Sequence, residues 1–264
     1  MRALPLALCL AATLPTNLAL ADCAHDAMLV FDGSASMGEV GHDPTAPTRI
    51  EEAHTAVRRA MPDIAPYRRV GLLIYGPGGT HACSGIDLRL TPRANAAAAV
   101  VAETEALAPG GLTPLAASVA VAAEVLRGEG IVVLVTDGNE TCGGTPCALG
   151  ARLAADWPGL TVHVIGFRVV FDPFSWNSPE AQALDGETVA KCLPDATGGL
   201  FVSTETVDEL ADALRVTLGC AVVGRAPSMR GQRGERSLAA PDAPATKNAP
   251  AIAGRGAPVS PSEA

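Results

Sequence analysis

A chain of 264 residues, 48% hydrophobic and 18% charged, is too apolar to be disordered throughout and has room for one domain of ordinary size plus a leader and a tail. Its formal net charge of −9 is unevenly spread: residues 22–220 carry 12 Lys and Arg against 25 Asp and Glu, whereas residues 221–264 carry 6 against 3. An acidic body repels nucleic acid and anionic membranes, so neither is an expected partner of the folded part.

Arg2, the apolar run Leu4 to Leu14 and the small residues Ala19-Leu20-Ala21 have the layout of a secretory signal over residues 1–21. Pro5 and Pro15 interrupt that stretch, and no later one reaches about 18 uninterrupted apolar residues, so no membrane span is expected. Cleavage before Asp22 would leave Cys23 second in the mature chain, and the acidic neighbour argues against lipid attachment there. The expected location is outside the cytoplasm, periplasmic or extracellular. Six cysteines remain once Cys9 is removed: Cys23, Cys83, Cys142, Cys147, Cys192 and Cys220. An even number in an exported chain points to disulfides, and the spacings do not fit zinc.

In chain order, residues 26–31 read as a first strand, followed by Asp32-Gly33-Ser34-Ala35-Ser36 and a polar loop. Thr48 with Glu51 forms a capping box for a helix to about Met61, along which Ile50, Ala53, Val57 and Ala60 recur at helical spacing. Arg69 to Tyr75 is a second strand, and Cys83 to Leu90 alternates as a half-exposed third strand at an edge. A helix over Ala94 to Leu107 stops at Pro109-Gly110-Gly111. Thr113-Pro114 then reads as N-cap and first residue of another helix, with Leu115, Val119, Ala122 and Leu126 on its apolar face. The continuous run Ile131 to Val135 has the character of a strand covered on both faces. It ends in Thr136-Asp137-Gly138. Later elements are a helix near Ala148 to Trp157, a strand Leu160 to Phe167, a long loop 170–186, a helix about Glu187 to Ala196, a strand Leu200 to Ser203 and a last helix capped by Thr206 and Glu209. Strands alternating with helices predict a doubly wound, mostly parallel α/β sheet with helices on both faces. Residues 221–264, rich in Ala, Pro, Gly and Arg, read as a disordered tail.

Asp32, Ser34 and Ser36 can aim three oxygens at one point from the end of a buried strand, and hard cations such as Mg2+ take about six oxygens in near-octahedral order. Ligands of open α/β sheets bind beyond the carboxyl ends of the strands, where strand order reverses. If the strands ending in Asp32 and Asp137 are neighbours, about 4.8 Å apart, both carboxylates reach the same crevice. A divalent cation between them would relieve their repulsion. Thr113 brings a further hydroxyl.

The set Asp32, Ser34, Ser36, then Thr113 in Gly110-Gly111-Leu112-Thr113-Pro114, then Asp137 in Thr136-Asp137-Gly138, resembles the metal-ion-dependent adhesion site of von Willebrand factor A domains. The resemblance covers about residues 26–218. It implies a six-stranded sheet in the order 3-2-1-4-5-6 with strand 3 antiparallel at the edge. It implies direct contacts from Ser34 and Ser36 to Mg2+, with Mn2+ or Ca2+ as substitutes. Thr113 would contact the ion directly in the ligand-competent arrangement and through water otherwise, and Asp32 and Asp137 would act mainly through water. One coordination position would stay open for a Glu or Asp carboxylate of a protein partner. The stretch Thr141 to Cys147, with Cys83 and Cys192, is similar to a bacterial exported subgroup of these domains.

Two departures stand out. Glu140, just after the motif aspartate, either crowds the site or lies on the surface. Phe171, Phe174 and Trp176, three of nine aromatics, sit in the loop 170–186 and either line a partner-binding surface or fold back over a helix. A serine hydrolase is disfavoured because the residue two before Ser36 is Ser34 rather than Gly, which breaks the nucleophile-elbow pattern. The five histidines have no motif context, and His163 reads as a structural histidine within a strand. A metal-assisted hydrolase acting on phosphate or ester substrates is the alternative to a binding module, against which stands the absence of a general acid or base in the motif segments. Because helices run antiparallel to the strands, Cys23 and Cys220 are expected to clasp the domain's ends. The other four cysteines allow three pairings, of which Cys83 with Cys142 and Cys147 with Cys192 best suits the topology.

Overall fold

The structure, a computed structural model, describes residues 23–40, 45–79, 81–169 and 189–220. The expected signal sequence, the loop with Phe171, Phe174 and Trp176, and the expected tail lie outside the described residues. Six strands form one sheet: β1 (Ala27–Asp32), β2 (Val70–Tyr75), β3 (Ile86–Arg93), β4 (Glu129–Thr136), β5 (Gly159–Phe167) and β6 (Phe201–Thr204). Their order is β3-β2-β1-β4-β5-β6, with β3 antiparallel to β2 and every other pairing parallel. The expected order and edge strand are therefore present.

The helices are α1 (Arg49–Ile64), α2 (Ala97–Glu105), α3 (Leu115–Val125), α4 (Pro146–Asp156), α5 (Cys192–Thr197) and α6 (Val207–Thr217). Strand alternation sorts them onto two faces. Leu29 and Phe31 of β1 pack with α1, α2 and α6, while Met28 and Val30 pack with α3, α4 and α5. Every residue of β1 is buried, as a central parallel strand covered on both faces must be. Local signals set several boundaries. Thr48 with Glu51 and Thr206 with Glu209 form the two expected capping boxes, and Gly198, at φ 72°, ends α5.

The start of α3 departs from expectation. Pro114 occupies the cap position and Thr113 lies before it, with no side-chain cap bond made. The backbone of Thr113 is engaged elsewhere: its N–H donates to Thr141 Oγ1 at 2.8 Å, and the Thr141 N–H donates to the Thr113 carbonyl at 3.1 Å. This pairing across loops ties the Thr113 backbone to Thr141 rather than to the start of α3. β3 also begins later than expected, at Ile86, because His81 to Ser84 is spent on a turn closed by the Ser84 N–H to the His81 carbonyl at 3.0 Å. The expected helix from Glu187 begins, among the described residues, as a 3-10 turn over Val189–Lys191 before α5.

Three disulfides join Cys23 to Cys220, Cys83 to Cys142 and Cys147 to Cys192. The first spans 197 residues, a closure that stabilises by about 5 kcal/mol in the chain-entropy model. Buried Arg68 reinforces it by donating to the His25 and Gly219 carbonyls at 2.9 and 3.1 Å.

Candidate metal centre above strands β1 and β4

β1 ends in Asp32, whose Oδ1 accepts the Ser34 N–H at 2.8 Å, an Asx-type turn that bends the chain off the sheet. Asp32 Oδ2 accepts the Thr136 hydroxyl at 2.8 Å, so the last residues of the neighbouring strands β1 and β4 are joined side chain to side chain. After Ser34 the chain makes a 3-10 turn over Ala35–Gly38, anchored by fully buried Met37. That turn sets the Ser34 and Ser36 hydroxyls 3.1 Å apart. Ser36 Oγ then donates to Asp137 Oδ1 at 2.8 Å, closing a chain of oxygens between segments 101 residues apart.

The third segment is fastened to the first through its backbone. The Gly110 N–H donates to the Gly33 carbonyl at 2.8 Å, and the Ala35 N–H donates to the Gly111 carbonyl at 3.2 Å. Gly111, at φ 72°, sits where an added Cβ would lie 1.9 Å from the Gly76 carbonyl oxygen, so a side chain there would push the loop away. Thr113 follows and lines one cavity of about 330 Å³ with Ser34, Ser36 and Asp137. Four of the five sequence-identified oxygen donors converge on this cavity. The fifth, Asp32, is buried beneath it and holds Ser34 and Thr136 in place.

Burial dominates the electrostatics. It raises the Asp137 carboxyl to about 7, with the charge of Asp32 adding to the rise and hydrogen bonds from Ser36 and Arg49 opposing it. Burial, with Asp32 again adding, pushes the Tyr75 phenol above its usual range. Two carboxyls held this close in a dry setting, with hydroxyls between them, suit a hard divalent cation, which would remove the cost of ionising both. Among the described residues, no three His, Cys, Asp or Glu side chains gather as a metal cluster, so the fit rests on Ser and Thr hydroxyls. The residues present fit such an ion.

Two charged residues take positions that sequence reasoning missed. Arg49, the first residue of α1, is buried at this cavity: its Nη1 donates to Asp137 Oδ2 at 3.1 Å, to the Ser36 carbonyl at 3.0 Å and to Glu39 Oε2 at 3.2 Å. Glu140 neither crowds the cavity nor faces solvent. It is 1% exposed, and its two oxygens accept the Ala116 N–H at 2.8 Å and the Cys142 N–H at 2.7 Å. It supplies the N-terminal acceptor for α3 that Thr113 does not.

The disulfide Cys83–Cys142 flanks the Thr113 loop. Leu112 donates its N–H to the carbonyl of Ala82, the residue before Cys83, and Thr113 pairs with Thr141, the residue before Cys142.

Known proteins resemble this chain in sequence or in fold. The chain is 27% identical over 197 residues to the uncharacterized protein YwmD of Bacillus subtilis (strain 168), covering 70% of this chain and 81% of that one. The uncharacterized protein YwmC of the same organism is 41% identical over 66 residues, 23% of this chain and 28% of that one. Among solved structures, an aerotolerance-related membrane protein from Bacteroides fragilis superposes with a TM-score of 0.52 at 14% identity, covering 74% of this chain and 98% of that one. A von Willebrand factor type A protein from Catenulispora acidiphila gives 0.51 at 17% identity, with 74% and 42% covered. Residues 27–140, the segment that holds Asp32, Ser34, Ser36, Thr113 and Asp137, match the family described as von Willebrand factor type A domain, and the sheet has the fold of that family.

Proposed function

We propose that this chain is an exported binding module that holds a divalent cation above β1 and β4 and uses it to capture an acidic side chain of a protein partner, in adhesion, assembly or scaffolding. The observation that carries the reading is the bridge made by Ser36 Oγ, 3.1 Å from Ser34 Oγ and 2.8 Å from Asp137 Oδ1, in the cavity that Thr113 also lines. Ser34, Ser36 and Thr113 would hold the ion, Mg2+ in the first instance with Mn2+ or Ca2+ able to replace it, and Asp32 and Asp137 would support it. With so few charged donors the ion would supply Lewis acidity toward an incoming carboxylate. The chain's own part is to keep the hydroxyls converged: Asp32 fixes the Ser34 turn, and the Gly110–Gly111 backbone ties Thr113 to it.

Calorimetric titration of EDTA-stripped protein with Mg2+ or Mn2+ tests the site. Saturable binding of one ion is expected, lost in Asp137→Ala and Ser36→Ala. No heat and no thermal shift at millimolar metal would remove the ion from the account. Capture of exported proteins that depends on the metal, and fails with EDTA and in Asp137→Ala, tests the partner.

A metal-assisted hydrolase is the second reading. It draws support from Asp137, whose pKa near neutrality suits a general acid or base. The same cation that would activate a substrate favours the ionised carboxylate and takes that property away, so the binding module is preferred. Phosphatase or esterase turnover abolished by Ser36→Ala would reverse this preference.

A further inference from the structure

Among the described residues, Arg49 is the one cation lining the candidate cavity. Its position is set twice over: the Arg49 N–H donates to the Glu39 carbonyl at 3.1 Å, which places the start of α1 beside the motif turn, and Nη1 grips the Ser36 carbonyl and Asp137 Oδ2. Its side chain is 9% exposed and that of Asp137 0%. A guanidinium is charged at any working pH and, in so dry a setting, acts on its neighbours with little screening.

A site meant only to hold a divalent cation gains nothing from a permanent positive charge at its wall. We propose that Arg49 is a specificity-determining residue of this site, making the cavity selective for an acidic ligand at the expense of divalent-cation affinity. The inference rests on the metal-site reading and deepens it.

The charge count gives the reason. Asp32 and Asp137 are the buried carboxylates of the site, and Arg49 offsets one of them. A divalent ion would bring the site to one net positive charge with Arg49 and to neutrality without it. Only the first case attracts a carboxylate over a neutral amide beyond the ion's own pull. Two other carboxylates must be weighed. Glu39 meets Arg49 Nη1 at 3.2 Å, but its side chain is 65% exposed, so water screens it. Glu140 is buried, but its oxygens are turned to the Ala116 and Cys142 amides.

The effects on metal and ligand therefore have opposite signs, which a merely structural arginine would not produce. The test uses native protein, Arg49→Gln and Arg49→Lys, all stripped with EDTA. Mn2+ affinity is read by calorimetry. Carboxylate capture by the Mn2+-loaded protein is read with N-acetyl-glutamate N-methylamide as probe, through the change in water-proton relaxation. Arg49→Gln is expected to bind Mn2+ about tenfold tighter and the probe about tenfold weaker, the size of one charge interaction at partial screening. Arg49→Lys keeps the charge but loses the planar guanidinium that serves three acceptors, so it should shift both in the direction of Arg49→Gln by no more than about threefold.

Arg49→Gln weakening both, or shifting neither, overturns the proposal, as does Arg49→Lys behaving like Arg49→Gln. If Arg49→Gln fails to fold, Glu39→Gln carries the test from its exposed position. Freeing Arg49 of its rim partner should weaken Mn2+ and strengthen probe binding by about twofold, and no shift or the reverse signs overturn the proposal. Absence of Mn2+ binding by the native protein overturns the metal-site reading and this inference with it, whereas metal binding with the wrong signs overturns this inference alone.

Discussion

Thr136 donates its hydroxyl to Asp32 Oδ2 across 2.8 Å, joining the last residues of β1 and β4 beneath the candidate cavity. With the Ser34 N–H on Oδ1, both oxygens of a fully buried carboxylate are fixed. Thr136→Val keeps the shape and removes the donor. Leaving a buried acceptor short of a partner costs about 1–3 kcal/mol, measurable by urea denaturation, and the loosened Asp32 should weaken Mg2+ binding in the same variant. Unchanged stability and unchanged affinity would show that this bond organises nothing.

The pH dependence of the metal-free protein follows from Asp137, held at about 7 by burial and by Asp32 against an ordinary value of 3.8. Between those two values the folded state binds the proton and the unfolded state does not. The stabilisation from the bound proton is therefore lost as pH rises through the folded pKa. In EDTA, the melting temperature should fall between about pH 4 and about pH 7 from this group. Saturating Mg2+ should flatten or reverse the trend, because the ion favours the ionised carboxylate. A melting temperature indifferent to pH in EDTA, or the same slope with and without Mg2+, would refute the assignment.

Glu140 offers a test of helix capping from a distance. Glu140→Gln retains one acceptor oxygen where the native side chain uses two, for the Ala116 and Cys142 amides. A loss of about 1–3 kcal/mol is expected by chemical denaturation. A surface residue in this position would show almost none.

Gly111 tests the tie between stability and the site. At φ 72°, with an added Cβ 1.9 Å from the Gly76 carbonyl oxygen, Gly111→Ala must move the Thr113 loop. The loop change should lower the melting temperature and abolish Mg2+ binding together. Retained metal affinity would show that Thr113 is dispensable.

Much of the fold was readable because its signals are local. The apolar runs of β1 and β4, the three-residue echo of Thr48 with Glu51 and of Thr206 with Glu209, and the alternating edge strand each carry their meaning within a few residues. The cysteine pairs followed from where the topology places strand and helix ends. The misreadings share an opposite cause. Thr113-Pro114 has a helix-start signature, but Thr141, 28 residues away, competes for the Thr113 backbone. Glu140 caps a helix that begins 25 residues earlier in the chain. Arg49 finds Asp137 across 88 residues. A charged side chain's role depends on which partner the fold brings to it, and no periodicity encodes that.

The strand of sulfur between Cys83 and Cys142 brackets the loop that presents Thr113: Ala82 holds one side of it and Thr141 the other. In a freshly made, reduced chain the Thr113 loop would be held by its backbone hydrogen bonds alone. If the cavity binds an ion as proposed, reducing Cys83–Cys142 would loosen the Thr113 loop and weaken that binding, so full affinity would depend on an oxidising environment.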